Sequence, residues 1–316
     1  MLLRFGLFIV LCFLPCISFG NTDEIVSRAE QLYKATKTVC SGISDEISHI
    51  TNISVANTAV SAVGTASAGG ALAAGLAKSN EDKEIEKLVN KICDAGGCTP
   101  DGIANMSNEE FFNQVMQPMA EIKQLQARMQ KSKQLGNWRT GLMAGTIGTN
   151  VATAVMSGLN IEQSDLMQHI DACNRMISAV KDIQRELKMH AVSPLENSVV
   201  SKLDNVTTWC TPINQTDIEK IENRMKGVLA VSVTGGTIGI VGTATSASAN
   251  SNKYTDKKLS LTPTEKQQEK ALNTTANIMA GANIATGATE VGLNISLINL
   301  TKKLLAQSKR CEEVLK

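Results

Sequence analysis

The residues of this chain best suited to chemistry are its cysteines, and the chemistry they suit is oxidative pairing. The 316-residue chain has eight. Cys12 and Cys16 fall in an N-terminal stretch with the features of a secretory signal, which leaves Cys40, Cys93, Cys98, Cys173, Cys210 and Cys311. Six cysteines allow fifteen pairings, and spacing alone does not choose among them. An internal duplication does. Ala59-Val60-Ser61 with Gly64 recurs as Ala230-Val231-Ser232 with Gly235, and Met143-Ala144-Gly145 recurs as Met279-Ala280-Gly281. Each copy has one cysteine before its first small-residue segment and one after its second. If each copy is an antiparallel helical hairpin, those positions meet at the open end. The expected disulfides are therefore Cys40–Cys173 and Cys210–Cys311. Cys93 and Cys98 have no counterpart in the second copy and are expected to pair with each other. A metal site at Cys93 and Cys98 would need two further ligands, and no second thiol pair or histidine stands near in sequence.

Other reactive residue types do not assemble into a mechanism. His169 precedes Cys173 by one helical turn, which could place imidazole beside thiol, but the disulfide is the expected fate of Cys173. Ser178-Ala-Val-Lys181 has the Ser-x-x-Lys spacing of some hydrolases and lacks the companion motifs. The acidic pairs Glu109-Glu110 and Glu312-Glu313 read as solvated helix charges. No phosphate-binding Gly-x-x-x-x-Gly-Lys-Ser/Thr loop or Gly-x-Ser-x-Gly elbow occurs. No catalytic residue, cofactor or metal ligand set is expected, and the chain is read as no enzyme.

Those cysteines also place the chain. Residues 1–20 carry Arg4, the apolar run Leu7 to Leu14, and small residues at Ser18 and Gly20, so the expected cut precedes Asn21. An uncleaved anchor is the competing reading. Export would put the thiols in an oxidising space such as a periplasm, cell envelope or exterior. The net charge is +1, and removal of Arg4 makes it zero, which argues against a nucleic-acid partner. Four of the six Phe also lie in the signal, so few aromatics remain for stacking on bases or sugars. Asn-x-Ser/Thr sequons at Asn52, Asn105, Asn205, Asn214, Asn273, Asn294 and Asn299 include several in expected packed arms. That favours a cell that does not glycosylate them, a bacterium.

The elements that must position the cysteines are helices. Helical spacing of apolar residues begins at Ile25. A Gly and two Ser interrupt it at Cys40 to Ser44. A helix then runs through the charged segment Glu81 to Lys91 to the break at Gly96 and Gly97. Thr99-Pro100-Asp101-Gly102 is a turn, and Ser107 to Glu110 resembles a capping box. Long helices are expected from Pro118 to about Leu159, Gln163 to His190, Leu195 to Cys210 and Thr216 to Asn250. Thr262-Pro263-Thr264-Glu265 opens the last one. The class is thus all-α: two tandem antiparallel hairpins, residues 21–190 with a long tip at 79–136, and residues 191–316.

Gly, Ala, Ser and Thr dominate the arms. Gly64 and Ala68 form one i, i+4 row, Gly141 and Gly145 another beside Gly148, and Gly235 and Gly239 a third; Gly281 stands in the return arm. Such rows let helix backbones approach closely, and these residues are the expected packing positions. Two functions fit. The first is a non-enzymatic structural or protein-interaction protein of the periplasm or envelope, acting through its long helical surfaces and self-association. The alternative is a membrane-inserting hairpin protein, a pore-former or assembly factor, whose segments 53–77, 140–160, 227–247 and 276–289 enter a bilayer. The charge-free lengths favour insertion, as do Trp138 and Tyr254 at segment ends. Asn57, Asn150, Asn277 and Asn283 inside the segments, and Glu290 breaking off the fourth, oppose it.

Overall fold

The computed structural model describes residues 22–96, 120–162, 165–190 and 194–316. Every regular element among them is an α-helix, as expected: α1 (Thr22–Cys40), α2 (Ile43–Gly96), α3 (Ala120–Glu162), α4 (Leu166–His190), α5 (Pro194–Trp209), α6 (Gln215–Ala249), the one-turn α7 (Asn252–Thr255) and α8 (Pro263–Leu315). The signal segment, Cys98, Glu109, Glu110 and the turn at 99–102 lie outside the described residues.

The breaks have local causes. Gly42 has φ 86°, a left-handed conformation that side chains resist and glycine takes freely. It separates α1 from α2. The first turn of α2 is then capped from afar: the Ser44 backbone N–H donates to Glu312 Oε1 (3.0 Å) and the Ser44 hydroxyl to Oε2 (2.7 Å). A carboxylate there meets the positive end of the helix dipole. Helix α8 starts with a capping box: Glu265 N–H donates to Thr262 Oγ1 (3.3 Å) and Thr262 N–H to Glu265 Oε2 (3.0 Å), with Pro263 as the first helical residue.

The helices form two compact units. Of the described residues, unit 1 comprises 22–49, 165–190, 194–219 and 301–316, and unit 2 comprises 50–96, 120–162 and 220–300. These units are not the two sequence copies. Each copy supplies residues to both, because α2, α6 and α8 each contribute to both units.

In unit 1, α1 packs on α4 and α5, and α4 on α5. Apolar residues at helical spacing fill the core, among them Ile25 and Ala29 of α1, Ile170 and Ile177 of α4, and Leu203 of α5. The disulfides Cys40–Cys173 and Cys210–Cys311 are both here, with Cα–Cα distances of 4.9 and 4.5 Å, within the normal range. They are the pairs expected from the duplicated cysteine frame. Asn174 adds a polar clamp on Ile213, accepting from its N–H (2.9 Å) and donating to its carbonyl (2.8 Å).

In unit 2, stretches of α2, α3, α6 and α8 form a four-helix bundle. Ser61 meets Thr153 and Asn57 meets Ser157, so α2 and α3 run antiparallel. Close approaches of Gly235 to Thr286 and of Gly242 to Met279 set α6 antiparallel to α8. Arg139 and Thr140 on Ser246 set α3 antiparallel to α6. Ser61 on Glu290 and Gly287 against Thr65 complete the ring between α2 and α8.

Candidate functional site

Unit 2 turns its polar residues inward. Asn57, Ser61, Thr146, Asn150, Thr153, Ser157, Ser232, Asn283, Glu290 and Asn294 are all buried. The outer face of its four arm segments combines large hydrophobics with Ala, Gly, Thr and two exposed amides, Asn52 and Asn299. Of the fourteen exposed large hydrophobics among the described residues, twelve lie in unit 2, including Val63, Val155, Val233, Ile240 and Ile278. No exposed residue of 50–77, 140–159, 227–249 or 271–300 carries a charge; the one charged residue in those segments, Glu290, is buried.

The interior is layered because each arm repeats a polar or small residue about every turn on its inner face. One layer joins Ser61, Thr153, Ser232 and Glu290. The Ser61 hydroxyl donates to Glu290 Oε2 at 2.7 Å, and the Ser232 hydroxyl lies beside the same carboxylate. A turn away, Asn57 Nδ2 donates to Ser157 Oγ (3.0 Å), and Asn294 Nδ2 folds back to the Glu290 carbonyl (3.0 Å). In the opposite direction Asn283 donates to Thr146 (3.3 Å). Next comes a small apolar layer of Ala71, Met143 and Ala280. Beyond it Arg139, fully buried, donates from Nε to Ser246 Oγ (2.8 Å), from Nη2 to Asn273 Oδ1 (2.8 Å) and from Nη1 to Asn277 Oδ1 (3.5 Å).

The next layer toward the hairpin tips is ionic, and an apolar cluster of Ile85, Ile92, Leu125 and Leu259 follows it. Lys78 lies 2.7 Å from Asp82 and 3.3 Å from Glu269; Lys258 lies 2.6 Å from Glu269 and 3.2 Å from Asp82. Ser132 donates to Asp82 at 2.6 Å. Burial pushes the Asp82 carboxyl upward, but the Lys258 and Lys78 ammoniums and the hydrogen bonds from Lys78 and Ser132 outweigh it and hold the pKa below the ordinary value. A cavity of about 230 Å³ is bounded by Lys78, Met129, Ser132, Lys258 and Glu269. Two cations and two anions neutralise each other here. Such a cluster fixes register, because stripping one member leaves a buried charge unpaired. It offers no activated nucleophile.

The packing residues expected from sequence divide. Ala68 is fully buried. A Cβ on Gly64 would strike Thr149, one on Gly235 would lie 2.7 Å from Asn150 Nδ2, and one on Gly239 2.9 Å from Ile147 Cγ1. These glycines do serve close approach. Gly141, Gly148 and Gly281 do not: a Cβ there meets nothing within 4 Å, and at Gly145 only Ser67 Oγ at 3.9 Å. The row on α3 faces outward, because α3 buries Met143, Thr146 and Asn150 instead. Tyr254 also departs from expectation. It is buried in unit 2, with Lys253 Nζ 5.1 Å from its ring, whereas Trp138 is 70% exposed.

The reactive-residue candidates have structural partners. His169 Nδ1 contacts Glu46 Oε1 and Nε2 contacts the Val39 carbonyl, each at 2.8 Å. Ser178 donates to the Asn174 carbonyl one turn back. Glu312, expected as a solvated charge, is instead the distal cap of α2. Cys93 is buried and disulfide-bonded, and its expected partner Cys98 lies outside the described residues. The inward polar ladder, Arg139 and the Lys78 cluster were missed as sites. The ladder's signal was present: Asn57 and Ser61, Thr153 and Ser157, and Glu290 and Asn294 are i, i+4 polar pairs within arms whose one charge is Glu290.

The segments Asp23–Asp94, Glu121–Leu159 and Gln215–Thr255 each contain a stretch long and apolar enough to cross a membrane by length and composition. No family model, curated protein or solved structure matches the chain.

Proposed function

We propose that the chain is an exported, non-enzymatic protein whose unit 2 works inside a lipid bilayer, as a pore-former or membrane assembly factor, while unit 1 stays in oxidising water. The observation that carries this reading is the inversion of unit 2: hydroxyls, amides and a carboxylate inside, and an outer face without a single charge on four arms. In water, full burial of a large apolar side chain is worth about 1.5–3 kcal/mol, and a solvated bundle would forgo part of that at twelve positions. In lipid the same face needs no cover, and polar groups belong between the helices. The dimensions agree. The uncharged stretches of α3 after Arg139 and of α6 after Lys226 are each roughly 30 Å long at about 1.5 Å per residue, close to the hydrocarbon thickness. Exposed Trp138 stands at the end of one of them, where indoles favour the interface.

A second reading keeps the chain soluble, with copies of itself covering the outer face. Thiol chemistry favours it. Cys93, near the hairpin tip of unit 2, is bonded like the cysteines of unit 1, and disulfides are rare where one side is cytoplasm. Under the membrane reading these bonds form before insertion, or the membrane has oxidising space on both sides. The two readings part in one experiment: flotation of the purified mature chain with phospholipid vesicles, followed by alkaline carbonate extraction. The membrane reading expects co-flotation that survives carbonate. A chain that stays with the soluble fraction and sediments as a defined oligomer would overturn it in favour of self-assembly.

A further inference from the structure

We infer that the interior of unit 2 binds a monovalent cation of sodium's class, held by the Glu290 carboxylate together with the side-chain amide oxygens of Asn57 and Asn294. The inference does not rest on the membrane reading, since the site faces the bundle interior in either solvent.

Three buried acceptors, on Glu290 and on the two asparagines one helical turn away, lack a donor. Glu290 Oε1, Asn57 Oδ1 and Asn294 Oδ1 have no hydrogen-bond partner, and their residues are 0%, 2% and 1% exposed. The register brings them together. Ser61 ties α2 to Glu290, and Asn57 lies one turn from Ser61 toward the same end of the bundle as Asn294 does from Glu290. Asn294 folds its amide back onto the Glu290 carbonyl. Ser157 Oγ accepts from Asn57 Nδ2, and Ser61 Oγ lies 3.5 Å from Thr153 Oγ1, so hydroxyls line both levels.

Charge makes the stronger case. The four arm segments contain no Lys or Arg, so no side-chain cation at this depth offsets the carboxylate. A buried charge that is neither paired nor neutralised is too costly to keep. A proton on Oε1 would neutralise it, but that O–H can satisfy only one of the two amide oxygens. A cation seated between the Glu290 layer and the asparagines one turn away would take acceptors from both. The donor set is entirely oxygen, which suits hard cations. A single carboxylate suits one positive charge, whereas calcium sites recruit several.

The test is the thermal unfolding of the purified mature chain at equal ionic strength and mildly alkaline pH, in sodium, N-methyl-D-glucamine or calcium chloride. We expect a saturable upward Tm shift of several degrees in sodium over N-methyl-D-glucamine, lost in Glu290→Gln. Asn294→Ala, which keeps the carboxylate, should weaken the apparent sodium affinity roughly tenfold, the equivalent of one lost ligand. The wild-type comparison needs no variant, so a Glu290→Gln chain that fails to fold leaves the test intact. Equal Tm in sodium and N-methyl-D-glucamine overturns the site. So does stabilisation by acid alone, which would make the occupant a proton, or by calcium alone, which would make the class divalent.

Discussion

Units 1 and 2 are built from the same kind of long helix, but the middle of unit 2 buries the opposite chemistry to unit 1, while its tip keeps an apolar cluster of Ile85, Ile92, Leu125 and Leu259. In unit 1 the inner faces carry Ile25, Ile170, Ile177 and Leu203, and two disulfides staple the helices. In unit 2 the inner faces carry Asn57, Ser61, Thr153, Asn283 and Glu290, while Val63, Val233, Ile240 and Ile278 point out. The burial of apolar area that organises unit 1 in water contributes little to the middle of unit 2. Interhelical hydrogen bonds and close backbone approach replace it there, the forces available to helices in lipid. Under the proposed reading the contrast corresponds to two solvents, and it can be broken.

The largest effect is expected from reversing the outer face of unit 2. Val233→Asp with Ile240→Asp places two carboxylates on the exposed side of α6, each costing about 2.5–3.5 kcal/mol at a bilayer centre. Flotation with vesicles should fall by more than tenfold. Met189→Asp, at an exposed apolar position of unit 1, should leave it unchanged. If the α6 pair floats like the parent chain, lipid is not the solvent of that face. Next in size is the staple. Cys40→Ser with Cys173→Ser should cost about 2–4 kcal/mol, read as faster amide hydrogen exchange in α1 and α4. Equal acceleration through the polar ladder of unit 2 would show that the two units do not differ in what holds them.

The glycines sharpen the comparison within unit 2 itself. A side chain at Gly242 would lie 2.9 Å from Met279 Cβ and strike Met143 as well. Gly242→Leu should therefore cost about 1–3 kcal/mol by overpacking, seen as a lower Tm. Gly145→Leu faces open space and should not lower the Tm, because leucine is the better helix former by several tenths of a kcal/mol. A matching loss at Gly145 would mean that its outward face is covered by something.

How far the sequence was legible follows from the same residues. Helix positions and the cysteine frame were readable, because Gly42, Gly96, Pro194 and Pro263 sit at real ends and the duplication pairs Cys40 with Cys173 and Cys210 with Cys311. The direction of burial was not. Where every face of a helix is Ala, Gly, Ser or Thr, a helical period exists on all of them, so the Gly141–Gly145 row reads the same as the Gly64–Ala68 row. Only the structure separates them. The asparagines and Glu290 read as obstacles to a bilayer for a related reason. Composition counts polar groups without saying that Asn57, Asn150, Asn283 and Glu290 turn inward, and an inward polar group is an interaction rather than a penalty. Arg139 and Lys78 were legible only as segment boundaries, since their partners Ser246 and Glu269 are more than a hundred residues away in sequence.

The smallest effect expected is at the ionic layer, and its sign is fixed by Asp82. The folded-state pKa of Asp82 is depressed. Its contribution to stability is therefore fully present above the ordinary carboxylate value of about 3.9 and is lost as pH falls through the lower folded value. Acidification below about pH 4 should increase hydrogen exchange in the tip helices around Asp82, Ser132 and Lys258 before it affects Arg139 and its neutral partners. Asp82→Asn should reduce this pH dependence and leave the part contributed by Glu81, whose carboxyl Lys131 and Arg128 also hold below its ordinary value. Unit 1 is the control: both of its disulfides are indifferent to protonation, so α1 and α4 should keep their protection over the same acid range. An acid response of equal size in α1 and α4 would place the sensitive group elsewhere and remove the ionic layer as the acid-labile part of the molecule.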